Sequence, residues 1–166
     1  MVSKNIYTLI KKKTHYPTLS RLWLKSCRSL KLNLYLCPLF PSPNGQKWVF
    51  LIGAYNSGTT LLNTLLSQHP SISALPYEGV TLASQLDRPE DHGWTRMWHK
   101  CIKDMTPQPG QEQQVAQRTQ REWGLCFNRA KPVFLEKSIA NAVRIPWLIK
   151  YFQPAYFIHI IRNGYA

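Results

Sequence analysis

"WVFLIGAYNSGTTLLNTLLSQHP", residues 48–70, joins three kinds of sequence in one stretch. Trp48 to Ile52 is a continuous apolar run and predicts a buried strand; from Thr59 to Gln68 the apolar residues recur at helical spacing. Between them lies a small polar loop, Gly53 to Thr60. The first turn of a helix has N–H groups without internal acceptors, and the helix dipole adds to their pull on an anion. Gly53 and Gly58 let backbone come close to a phosphate, and the hydroxyls of Ser57, Thr59 and Thr60 add donors. A plain helix start capped by Asn56 or Ser57 accounts for the same residues at this point.

Two glycines separated by four residues have the spacing of the nucleotide-binding P-loop. That pattern continues with lysine and then Ser or Thr, whereas here "GTT" follows, so Thr59 stands where the lysine belongs. Further along, Ile72 to Leu75, Val133 to Leu135 and Tyr156 to Ile161 read as strands. Gln111 to Phe127 and Pro146 to Phe152 have helical spacing, with Pro146 suited to a first turn. The last run, "AYFIHII", is apolar throughout, as expected of a parallel strand buried on both faces. Strands alternating with helices predict an α/β fold with a parallel sheet flanked by helices.

Charge divides the chain. Of 166 residues with a net charge of +13, residues 1–47 hold nine Lys or Arg and no Asp or Glu. They read as a basic extension, a solvated arm or a contact for polyanions. "CPLFPSPNGQK", residues 37–47, is a linker or boundary loop, and the folded domain is expected over 48–166. Cys27, Cys37, Cys101 and Cys126 show neither CxxC nor zinc-ligand spacing and read as reduced thiols. Lys25, Arg28 and Lys31 interrupt the best apolar run, so neither a membrane span nor a secretory leader is expected, and the location expected is cytoplasmic.

"SGTTLLNTLLSQHP" resembles the 5′-phosphosulfate-binding loop of sulfotransferases, which take a sulfuryl group from 3′-phosphoadenosine-5′-phosphosulfate. "LPYEG" at 75–79, "FLEKSIANAVRIPWL" at 134–148 and "FIHIIRNGYA" at 157–166 follow in family order. They are similar to the branch that contains tyrosylprotein sulfotransferases and bacterial relatives. The resemblance implies a P-loop-like parallel sheet in which Asn56, Ser57, Gly58, Thr59 and Thr60 hold the phosphosulfate and Arg162 the 3′-phosphate. It implies Glu78 as the base that takes the acceptor proton and Lys137 as the cation beside the transferring group. The acceptor is a hydroxyl or amine on a peptide tyrosine, a carbohydrate or a small molecule, and no metal is called for. Glu136 is assigned no role, and His159 is expected to be a buried histidine with a satisfied hydrogen bond. Trp94, Trp98 and Trp123 are expected in packing.

Two departures matter. The family has Lys or Arg just before "SGTT", and this chain has Asn56, which brings no charge; Lys137 is the cation expected to compensate. The sequence stops four residues after Arg162, which suggests a domain incomplete at its C-terminus, poorly active, with "AYFIHII" partly uncovered. A non-catalytic nucleotide- or polyanion-binding module, and a P-loop kinase or NTPase, are the competing expectations.

Overall fold

The computed structural model describes residues 41–163. Four strands form one parallel sheet in the order β2-β3-β1-β4, with β1 at Lys47–Gly53, β2 at Ile72–Ala74, β3 at Val133–Lys137 and β4 at Ala155–Ile160. The helices are α1 (Thr59–Leu66), α2 (Ile102–Met105), α3 (Glu112–Gly124) and α4 (Ile145–Tyr151), with short 3-10 segments between them. The sequence readings of all four strands and of the helices at 59, 111 and 146 are met to within three residues. Pro146 does sit in the first turn of α4.

In β1, alternation sends Trp48 and Phe50 to one face and Val49 and Leu51 to the other. The first face carries an aromatic core. Trp48 meets Phe134 and Phe152 edge-on at 5.4 and 5.0 Å, and Phe127 stacks on Phe134 at 4.1 Å. Trp123, from α3, is fully buried beside Phe50 and Phe152. Such edge and offset arrangements suit the ring quadrupoles and add to the burial of large apolar area. On the other face α1 packs against β1 and β3, over the buried Leu51 and Leu135. The linker's end also belongs to the packing: the Pro41 carbonyl accepts from Arg129 at 2.8 Å, and Pro43 abuts Gly124. Residues 1–40, which include Cys27, Cys37 and most of the basic extension, lie outside the described residues.

Two expectations are corrected by the structure. Among the described residues β4 pairs with β1 alone and forms an edge of the sheet, and none of its residues is fully buried, so its apolar run is not buried on both faces. Tyr156 is exposed, and His159 is exposed rather than buried. Of the tryptophans, Trp123 is core and Trp98 partly buried, while Trp94 is exposed. Among the described residues no helix is long and apolar enough to cross a membrane.

In a parallel sheet every carboxyl end lies along one edge, and ligands of open α/β sheets bind there. β1 lies between β3 and β4, so the loop leaving Gly53 is flanked by the ends of the strands that deliver Lys137 and Arg162. The segment leaving β2 brings Glu78 to the same edge.

Candidate active site

The loop after β1 folds tightly back on the strand. Ser57 N–H donates to the Ala54 carbonyl at 3.2 Å. A Cβ on Gly53 would lie 2.7 Å from Ser57 Oγ and 2.9 Å from the Ile160 carbonyl, so this position has no room for a side chain. Gly58 has φ 101 with open space around it, a conformation that costs glycine little. Asn56 is also left-handed, at φ 63.

Gly58 occupies the N-cap position of α1, and no side chain caps the helix. The plain helix start capped by Asn56 or Ser57 is therefore not what the chain adopts. The first-turn donors remain uncovered by hydroxyls. Ser57 Oγ is buried without a hydrogen-bond partner; such a hydroxyl costs free energy unless a ligand or water satisfies it. Thr59 is buried as well, while Asn56, Gly58 and Thr60 face outward.

Two residues from distant parts of the chain meet beside this loop. Lys137 Nζ donates to Glu78 Oε1 at 2.6 Å, the lysine side chain 13% exposed and the glutamate 36%. Lys137 is thus already paired with a carboxylate. At the other flank Arg162, exposed beyond β4, donates through Nη1 to the Asn56 carbonyl at 3.2 Å.

Behind Glu78 and Lys137 lies a group that the sequence reading passed over. Glu136 is completely buried. Its Oε1 accepts from Gly79 N–H at 2.8 Å and from the Ser138 hydroxyl, and its Oε2 accepts from Asn141 Nδ2 at 2.7 Å. The Gly79 carbonyl in turn accepts from Trp123 Nε1 at 2.9 Å, so the residue that follows Glu78 is held through both its N–H and its carbonyl. Asn141 Oδ1 accepts from Arg144 Nη1 at 3.1 Å, and Arg144 continues to the carbonyls of Met105, at 2.7 Å, and Asp87. Burial raises the Glu136 pKa, against the pull of its three hydrogen bonds, and burial lowers that of Arg144 to about 10. Glu136 and Lys137, neighbours in a strand, point to opposite faces as strand geometry requires: one anchors, the other faces the site.

The signal for this network was present but indistinct. A carboxylate between apolar residues of a buried strand must find partners, yet sequence does not say which.

A family model described as the sulfotransferase family matches residues 49–166. The chain belongs to the sulfotransferase family. No match was found among curated proteins or among solved structures. The sulfotransferase match covers the sheet apart from Lys47 and Trp48 at the start of β1, and every residue of the site described above.

Proposed function

We propose that this chain transfers a sulfuryl group from 3′-phosphoadenosine-5′-phosphosulfate to a hydroxyl or amine acceptor. In this reading residues 48–166 are the nucleotide-binding unit, and the basic residues 1–47 are an extension with affinity for polyanions. The observation that carries the reading is the meeting of Glu78 and Lys137 at 2.6 Å beside an uncapped loop.

The residues present fit a phosphosulfate. Ser57 Oγ is buried without a partner, and the loop approaches too closely at Gly53 for any side chain. Ser57, Gly58, Thr59 and Thr60 would hold the 5′ end, together with Asn56, and Arg162 the 3′-phosphate, for which a planar, always charged guanidinium is suited. When bound, the nucleotide supplies the sulfuryl group and leaves as the bisphosphate. Glu78 takes the acceptor proton as the acceptor atom bonds to sulfur. Lys137 turns its charge toward the phosphate oxygen whose bond to sulfur breaks, where negative charge grows. Thr59, buried where a P-loop kinase or NTPase carries its lysine, weighs against phosphoryl transfer.

Titration calorimetry tests the reading. The folded chain is expected to bind 3′-phosphoadenosine-5′-phosphate, and not ATP with magnesium. A folded chain that ignores the bisphosphate, or prefers ATP with magnesium, refutes it.

A further inference from the structure

Among the described residues only two other than glycine have positive φ: Asn56, at 63°, and Arg96, at 60°. They are 40 positions apart in sequence, and both adjoin Tyr55. Asn56 follows it in the chain, and the Arg96 guanidinium carbon lies 5.4 Å from the centroid of its ring.

Arg96 is an unexpected residue for its place. The Trp94 carbonyl accepts from Met97 N–H at 3.3 Å, closing a turn in which Arg96 holds the third position. With φ positive there, glycine or asparagine is the inexpensive choice. The turn is held by a bond from Arg96 N–H to Glu90 Oε1 at 3.3 Å, which needs only the backbone. The side chain is therefore not required by the turn. It is exposed, and its guanidinium makes no hydrogen bond or ion pair among the described residues. Other basic groups of this segment are otherwise engaged: Arg88 with Asp91, His92 with Asp87, and Lys100 over the Trp94 ring at 4.7 Å.

The contact with Tyr55 sets Arg96 against the residue that leads into the loop. Burial raises the Tyr55 pKa; the charges of Glu90 and Glu78 add to that rise, and Arg96 opposes it. Glu78, the candidate base, and Arg96 thus both act on the residue that leads into the loop. Asn56 brings no charge there and Lys137 is paired with Glu78, while the first-turn donors and the partnerless Ser57 Oγ await an anion.

We propose that Arg96 is the anion-binding cation of the loop at residues 53–60, reaching across Tyr55 to the 5′ end of the nucleotide in the role that a basic residue at position 56 would fill. The inference rests on the donor reading above. The cation–π contact with Tyr55 leaves the N–H fork of the guanidinium available for oxygens of a phosphate or sulfate ester.

The test compares two nucleotides on the full chain: 3′-phosphoadenosine-5′-phosphate, and adenosine 3′-monophosphate, which lacks the 5′ group. Arg96→Gly removes the cation and retains the positive φ, so the turn is kept; a thermal melt checks that it is. The variant is expected to bind the bisphosphate more weakly by on the order of 10- to 100-fold and the monophosphate unchanged. Arg96→Lys, a point charge without the fork, is expected to fall between. Unchanged bisphosphate affinity in Arg96→Gly, or equal weakening of both nucleotides, overturns the assignment and leaves the donor reading standing. A folded wild-type chain that binds neither nucleotide overturns both.

Discussion

Replacing Glu136 by glutamine keeps the volume of the side chain and changes one oxygen into an amide nitrogen. The three acceptor contacts of Glu136 cannot all survive. With the glutamine oxygen toward Gly79 N–H and the Ser138 hydroxyl, its nitrogen faces Asn141 Nδ2, a donor that now sits 2.7 Å from Oε2. Asn141 cannot turn over in response, since its own oxygen accepts from Arg144. With the glutamine reversed, its nitrogen faces Gly79 N–H instead. Either way one buried pair of donors is left opposed, at a cost of about 1–3 kcal/mol. A protonated Glu136 avoids the conflict, because a carboxylic acid has a single proton to place, toward the Ser138 oxygen, and keeps an acceptor for Asn141.

The sign of the pH dependence follows. Burial raises the folded-state pKa of Glu136 above that of the unfolded chain. Its contribution to stability is then fully present below the unfolded carboxylate value and is lost as pH rises through the folded one, with a limiting slope of about 1.4 kcal/mol per pH unit. Glutamine does not titrate, so the stability gap between wild type and variant is widest below the unfolded carboxylate value, near pH 4, and narrows as pH rises toward 8. Urea unfolding over that range, followed by circular dichroism and by the fluorescence of the buried Trp123, measures the gap. A variant as stable as wild type near pH 4, or a gap that widens with pH, would falsify this account of the network.

Three further outcomes are expected. Glu78→Gln should slow sulfuryl transfer from labelled donor by about 100- to 10,000-fold, and Lys137→Met by about 100- to 1,000-fold, with bisphosphate affinity in the Glu78 variant within a few-fold of wild type; loss of binding rather than of rate in Glu78→Gln would count against its role as base. Gly53→Ala, which drives a methyl against Ser57 Oγ and the Ile160 carbonyl, should lower stability by about 1–3 kcal/mol and weaken bisphosphate binding, read by melt and calorimetry; a variant with wild-type binding would show that the loop needs no such close approach.

The sheet was legible because its strands are apolar runs bounded by loops, and the helices because of their spacing and of Pro146. The parallel sense followed from the alternation of strand and helix. The place of β4 did not, since a continuous apolar run looks the same at an edge as in a centre, and only pairing partners distinguish them. His159 was misjudged for that reason. In the site, residues 53–60 could be found locally because backbone chemistry there depends on glycines and hydroxyls in one stretch. Arg96, Tyr55 and the Glu136 network could not, because a cation on a ring or a carboxylate under a loop is defined by what lies across from it, and those partners are scattered along the chain.

The position of β1 between two strands made much later has a consequence for how the molecule acquires its site. The loop is among the first described segments to leave the ribosome, yet the bond from Arg162 to the Asn56 carbonyl joins residues 106 apart, and Lys137 arrives on β3 little earlier. Every flank of the candidate site therefore depends on closing a long loop, whose entropy is lost before the contacts repay it. Pairings of this kind fold slowly compared with local ones. A ligand that touches both the loop and Arg162 would bind only the finished sheet, and by mass action would hold it closed: the nucleotide would serve as the last piece of the fold.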